Sequence, residues 1–367
     1  MSDAFERNVY CLLGLPFDAV DMAEAERQIR YAAMHRRPCF FSTPNLNFVV
    51  ACLADGEFRD SVICSDLSIA DGMPLVWIAR LLGIPIRERV TGSGLFEQLR
   101  KGTSTQLLVY FFGGMERVAE AACRGLNTEP SGLACAGYEF PGFGSVDEMS
   151  SEESIAKINA SGADFLLVSL GAKKGQAWIE HNRARISVPV ISHLGAVLNF
   201  VAGTVNRAPA WMQNIGLEWL WRIKEEPMLW RRYFGDGLVL LTLLVTRVLP
   251  YAWYLHRHKP DADQLATASV ETREEGQNYI VHLRGAWTQR KMSPLRDSFA
   301  KAVLAGKDVR LDMGGVTYVD SAFVGLVMLL QGHQTQHGRQ LLIVSLQKPV
   351  RRVIKYCCAD YLCSSTA

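Results

Sequence analysis

The chain carries almost no net charge, with 39 Lys and Arg against 37 Asp and Glu, a formal +2 at neutral pH. A bulk basic footprint for nucleic acid is therefore missing. None of the nine cysteines stands in a Cys-x-x-Cys pair, and most lie inside apolar runs. Buried free thiols are expected from this, and zinc sites and disulfides are not. No Gly-x-Gly-x-x-Gly fingerprint occurs, which argues against a dinucleotide-dependent oxidoreductase. The opening segment MSDAFERNVY has no basic stretch running into an apolar one. A secretory signal is accordingly not expected, and a cytosolic setting is. Internal repeats and low-complexity tracts are also missing.

What is present is a long alternation of short apolar segments and helical patterns. Strands are predicted at Cys39–Thr43, Val62–Asp66, Leu107–Phe112, Ala134–Tyr138, Asp164–Leu170 and Val188–His193. Helices are predicted between and after them, at Asn45–Ala54, Pro74–Leu82, Gly94–Lys101, Glu116–Leu126, Glu152–Ala160 and Gln176–Arg185. Such alternation implies an α/β fold, a parallel sheet covered on both faces, over residues 1–210. An Arg- and Trp-rich appendage that turns apolar follows at 211–258, and a polar, Pro-containing linker at 259–268. Residues 269–367 repeat the strand–helix alternation on a smaller scale and form a second α/β domain.

Ligands of parallel sheets bind beyond the carboxyl ends of the strands, so the segments that follow strands hold the candidate chemistry. Ser42-Thr43-Pro44-Asn45 offers hydroxyl and amide groups for sugar hydroxyls or a uracil edge, and equally suits a helix N-cap. Asp71, in Ala70-Asp71-Gly72-Met73-Pro74, is a candidate general base for an acceptor hydroxyl. Its bland alternative is a helix cap, and Asp66 is a competing carboxylate. Arg89, ahead of Thr91-Gly92-Ser93-Gly94, suits anion binding at a helix start. Lys173-Lys174-Gly175-Gln176 suits a phosphate, a sugar or only a solvated helix start. Arg222, Arg231 and Arg232, interleaved with tryptophans, suit a diphosphate or a membrane surface, or equally nucleic-acid stacking, and the adjacent apolar run favours the membrane.

Taken in order, these segments resemble the WecG/TagA/CpsF glycosyltransferases over roughly residues 8–235. The resemblance is carried by Thr43-Pro44-Asn45, Ala70 to Pro74, Glu88-Arg89-Val90-Thr91-Gly92, Ala202 to Pro209, and Gly216 to Arg222. It implies a Rossmann-like, inverting transferase that moves a sugar, such as an N-acetylhexosamine or a glucose-type sugar, from a UDP-sugar. The implied acceptor is an undecaprenyl-diphosphate-linked saccharide of a surface or exopolysaccharide pathway. Carried over, Asp71 is the base, and Thr43, Asn45, Arg89 and Gln176 are substrate-binding. Arg222, Arg231 and Arg232 belong to an appendage that closes over the site and engages diphosphate. No Asp-x-Asp pair stands in the first domain, so metal independence and no cofactor are expected. After Glu226-Pro227, Met228 and Leu229 stand where the family pattern carries a basic residue, and two further departures are visible. Gly175 stands where the family pattern carries a glutamine, and Asn199 where it carries an aspartate. They motivate a rival reading, a non-catalytic scaffold for UDP-sugar or lipid.

The second domain resembles a STAS domain over about 270–365, through Val309-Arg310-Leu311-Asp312-Met313 and onward to Asp320-Ser321. The resemblance implies a regulatory protein partner and makes Ser321 a candidate phosphorylation site, with simple helix capping as its alternative. Finally, Gly237–Tyr254 is apolar but carries Arg247 and Pro250. A single span would put the two domains on opposite sides of a membrane. An interfacial helix on the inner face of the cytoplasmic membrane is expected instead, with burial against the STAS domain as the alternative.

Overall fold

The computed structural model describes residues 5–102, 105–128, 131–214 and 216–363. The chain opens with an antiparallel hairpin, β1 (Val9–Leu12) and β2 (Leu15–Asp18). Leu13 and Gly14 turn it with positive φ. Six parallel strands then form the larger sheet: β3 (Cys39–Ser42), β4 (Leu67–Ser68), β5 (Leu107–Gly113), β6 (Leu133–Glu139), β7 (Phe165–Ser169) and β8 (Val190–His193). Their spatial order is β4-β3-β8-β7-β5-β6. The central strands β5, β7 and β8 are almost wholly buried runs of Val, Leu, Ile and Phe, the composition a sheet covered on both faces requires. One face packs with Phe41, Phe96, Phe111 and Phe165, and the other with Phe112 stacked 4.2 Å from Trp178.

One expected strand is a helix. Val62 and Ile63 end a helix Gly56–Ile63, started by Asp55, whose side chain accepts from the Phe58 N–H. The strand itself is the two-residue β4 beyond it. A short apolar run does not separate a buried strand from the end of a buried helix. Asp66, the competing carboxylate, accepts from the Phe40 N–H at 2.8 Å and so joins β3 to the loop before β4.

The smaller domain has a mixed sheet: β9 (Ser269–Glu275), β10 (Asn278–Trp287), β11 (Asp308–Val319) and β12 (Leu341–Val344), in the order β12-β11-β10-β9. The β9 strand was not foreseen because it is charged and exposed along nearly its whole length. The polar run before it is not wholly extended. Ala262–Ala266 forms a short helix with a capping box between Asp261 and Gln264.

The two domains share one continuous apolar core. The helix Ser321–Gln336 lies directly on the β1–β2 hairpin and on the helix Gly56–Ile63. Close approach is possible because glycines sit at the contact. A Cβ on Gly325 would stand 3.0 Å from the Tyr10 and Cys11 backbone, and one on Gly332 would stand 3.0 Å from the Ile63 carbonyl oxygen. Twelve of the sixteen residues of this helix are buried, which explains its weak amphipathic pattern in sequence.

The apolar run forms part of a single helical stretch, Leu229–Arg257, long and apolar enough by length and composition to cross a membrane. A widened turn at Leu244–Val248 precedes Pro250. It absorbs the missing donor and the ring clash that proline imposes on a regular helix. One face is gripped by the smaller domain. Leu243, Val248, Tyr251 and Tyr254 are buried, Tyr254 stacks 6.3 Å from Tyr318, and Arg247 donates to the Lys355 carbonyl at 3.0 Å. The opposite face exposes Trp230, Phe234, Leu238, Leu241, Val245, Leu249 and Trp253. Their steps of three and four make one stripe. The expectation of burial against the smaller domain thus holds for one face of this helix, while the other face is apolar and exposed.

The cysteine expectation needs a correction. Cys123, on the helix Glu116–Thr128, is bonded to Cys135 on β6. Their Cα atoms are 5.1 Å apart, inside the range a disulfide bridges. The proximity is created by the helix packing onto the strand that follows it, which spacing in sequence does not reveal. Cys11, Cys39, Cys52, Cys64, Cys357 and Cys358 are free thiols, the first five of them buried.

Candidate active site

The carboxyl ends of β3, β7 and β8 lie side by side and open into a cleft of about 660 Å³, a size suited to a nucleotide-sized ligand. Thr43 and Asn45 follow β3, Ser169 ends β7, and His193 ends β8. The loop after β4 brings Asp71, and the next one brings Arg89 and Thr91 to Ser93. The appendage closes the far side with Glu218, Trp219, Arg222, Arg232, Tyr233 and Asp236.

Asp71 is fixed from both ends. Its N–H donates to the Pro44 carbonyl at 3.0 Å, and its Oδ2 accepts from the Gly92 N–H at 3.3 Å. It is not the cap of the following helix, Met73–Leu81, whose cap position is Gly72 with no side-chain bond and which has Pro74 in its first turn. Burial raises its carboxyl from an ordinary 3.8 to about 6, and nearby Glu218 adds to this, against the pull of Arg89, the Gly92 N–H and Arg222. A carboxylate with that value is ionised at neutral pH yet more basic than usual, which suits a general base.

Gly92 is needed as glycine at the floor of the site. A Cβ there would stand 2.5 Å from Leu194 and 3.4 Å from Thr43. Thr91 caps the helix Gly92–Lys101 by accepting from the Gly94 N–H at 2.8 Å. Asn45 is a helix cap that also stands at the cleft. Its Oδ1 caps the helix Leu46–Ala54 through the Phe48 N–H, and the residue also lines the cleft.

Arg89 pairs with Glu218 at 3.0 Å, and both side chains are largely buried. The pair ties the Arg89 loop to the appendage. A second tie joins Asn47 to Asp236 at 3.2 Å, on the long helix. Arg222 is half-exposed and within 3.6 Å of Glu226. Arg232 stands over the Tyr233 ring at 5.1 Å.

Not every expected residue reaches the cleft. Gln176 is fully buried within the fold and donates to the Ser42 hydroxyl at 3.0 Å, away from the cleft wall. Arg231 leans on the exposed Trp230 instead. Ser321 is buried as the first residue of its helix, where Asp320 rather than Ser321 provides the cap, accepting from the Ala322 and Phe323 N–H groups. Of the two departures, Asn199 does not line the cleft, whereas Gly175 lies directly behind His193. Glu218, Asp236 and His193 were not singled out from sequence. Only Asp236 left a signal there, as the lone acid in the apolar helix.

The comparisons with known proteins agree with this layout. The family model described as "Glycosyl transferase WecG/TagA/CpsF family" matches residues 10–253, and one described as "Mlab, STAS domain" matches residues 270–361. Three relatives carry the name N-acetylglucosaminyldiphosphoundecaprenol N-acetyl-beta-D-mannosaminyltransferase. That of Bacillus spizizenii is 27% identical over 194 residues, covering 53% of this chain and 74% of its own. That of Bacillus subtilis is 26% identical over 204 residues, covering 55% and 78%. That of Staphylococcus aureus strain NCTC 8325 is 23% identical over 214 residues, covering 58% and 82%. With two thirds of its length matched by the family model and its cleft built from the segments that carry the resemblance, the chain is a member of the WecG/TagA/CpsF glycosyltransferase family with a STAS domain at its C-terminal side.

Proposed function

We propose that this protein transfers a sugar from a UDP-sugar to a polyprenyl-diphosphate-linked saccharide at a membrane surface. The observation that carries the reading is Asp71. It is a carboxylate of raised basicity, pinned by the Gly92 N–H, at the wall of a cleft edged by Thr43, Asn45 and three arginines. In the reaction, an acceptor hydroxyl attacks the anomeric carbon and gives its proton to Asp71. The carbon–oxygen bond to UDP breaks, and the diphosphate leaves with the electron pair. Attack opposite the leaving group inverts the anomeric centre.

Arg222 and Arg232 stand on the appendage side of the cleft and are suited to the charge that develops on the diphosphate. Arg89 is held by Glu218, so its part is to position the appendage against Asp71 as much as to meet substrate. A metal-independent reaction follows from this reading. The relatives' names supply the acceptor class and favour N-acetylmannosamine as the donor sugar.

The exposed apolar stripe of Leu229–Arg257 supports peripheral attachment to the inner face of the cytoplasmic membrane, with the STAS domain covering the opposite face. Asp236, Gly237 and Leu240 on that same helix line the cleft. Through it, a regulatory protein that moved the STAS domain would change the cleft. Phosphorylation of Ser321 would require that domain to open first, because the residue is buried. The reading is tested by acceptor-dependent UDP release with a panel of UDP-sugars, beside Asp71→Asn. Turnover that the substitution abolishes supports it, and equal turnover by the variant removes Asp71 as the base.

A further inference from the structure

Gly175 and His193 occupy one space. A Cβ on Gly175 would stand 2.2 Å from Cδ2 of His193 and 2.8 Å from its Cγ. No side chain fits at 175 while the imidazole is in place. His193 ends β8 and projects to the face covered by the helix Ala172–Asn182, where its ring lines the cleft beside Ser169, Gly171 and Gly195. It is 8% exposed, and its Nε2 is sealed from solvent with no hydrogen-bond partner.

Unpaired buried nitrogens are uncommon and call for a partner. Burial also lowers the imidazole pKa to about 4, so the ring is neutral at physiological pH and offers one donor and one acceptor. The Cδ2–Nε2 edge is the one against Gly175. A half-turn about Cβ–Cγ exchanges it for the Nδ1–Cε1 edge, and it is this half-turn that brings the unpaired Nε2 to the opposite edge, where a ligand can partner it.

We infer that His193 is a donor-recognition residue, reading an uncharged polar group of the bound nucleotide-sugar, and that the Gly175–His193 pair sets donor selectivity. The polar group that the family pattern carries on the helix at 175 is here supplied from the neighbouring strand, and glycine makes room for it. The inference rests on the transferase reading proposed above. It concerns a different residue from the base and the arginines.

The test uses the full chain, with His193→Ala, His193→Gln, Gly175→Gln and the exchange Gly175→Gln/His193→Gly. The Kd for UDP and kcat/KM for each UDP-sugar are measured beside melting temperature. His193→Ala is expected to lower kcat/KM for the preferred donor at least tenfold. If the group read lies on the sugar, the Kd for UDP stays constant. If it lies on uracil, the Kd weakens in step and every UDP-sugar loses alike, which overturns the selectivity role. Gly175→Gln alone is expected to lose activity through the clash, and the exchange to recover it with a changed donor ranking. His193→Gln covers the case in which the alanine variant does not fold.

Folded His193→Ala and His193→Gln that keep every kcat/KM and the UDP Kd within twofold of wild type would overturn the inference. So would a folded Gly175→Gln with unchanged donor ranking. Wild type that neither binds UDP nor turns over any donor would remove the parent reading and this one together. An active wild type with unmoved variants removes this one alone.

Discussion

Replacing Asp71 by Asn should abolish transfer and, at the same time, stabilise the protein. Burial is the largest cause of the raised Asp71 pKa, which moves from an ordinary 3.8 to about 6. That difference corresponds to about 3 kcal/mol held against the folded state when the carboxylate is ionised. Because Asp71 lies at the cleft wall, water screens part of this, and about 1–3 kcal/mol is expected. The sign follows from proton counts. Between about pH 4 and pH 6 the folded state binds more protons than the unfolded one, so wild-type stability falls as pH rises through that window. Above it both states are ionised and the folded state bears the whole penalty. Below it both are protonated and the penalty vanishes.

Asparagine stays neutral throughout and keeps an oxygen for the Gly92 N–H. The Asp71→Asn chain should therefore melt a few degrees above wild type at pH 8, at about 2 °C per kcal/mol. The gap should close as pH is lowered toward 4. Chemical denaturation from pH 4 to pH 8 gives the same comparison without heating. A variant no more stable than wild type at pH 8, or a gap independent of pH, would refute the reasoning. Activity of the wild type should fall as pH drops through about 6, where the base becomes protonated.

Arg89→Ala should destabilise the chain by about 3 kcal/mol, since it leaves Glu218 buried and unpaired. Removing both partners should cost less than the sum of the single changes, read by a double-mutant cycle in urea. Leu241→Glu with Val245→Glu should abolish co-sedimentation with anionic vesicles and leave the melting temperature within about 2 °C, because both side chains face outward. Deleting residues 237–258 should instead unfold the chain, since the inner face of that helix is core. Gly325→Val should cost about 1–3 kcal/mol by forcing the STAS helix off the β1–β2 hairpin, checked by denaturant unfolding.

Much of the cleft was legible because parallel sheets place ligands at strand ends. Thr43, Asn45, Asp71 and Arg89 were found by reading the residues that follow predicted strands and by family resemblance, and all four line one cavity. Residues brought from far away in the chain were less visible. Glu218 and Asp236 enter through tertiary contacts with Arg89 and Asn47, and His193 reads in sequence as the end of an apolar strand. Gln176 was misplaced for a local reason. One step along a helix turns a side chain by about 100°, enough to send it to Ser42 instead of the cleft. The same limit explains Val62–Ile63, where three or four apolar residues fit a helix end as well as a strand. The Cys123–Cys135 bond and the burial of the helix Ser321–Gln336 depend on packing between elements. Sequence periodicity does not encode that packing.

The most direct test of the central claim is UDP release by the full chain with UDP-N-acetylmannosamine, UDP-N-acetylglucosamine and UDP-glucose, with and without a short polyprenyl-diphosphate-linked N-acetylglucosamine acceptor, beside Asp71→Asn. Release that requires the acceptor, and that falls at least a hundredfold in the folded variant, is the predicted result. Folded wild type that binds UDP and releases none with any donor, or a variant as active as wild type, would contradict it.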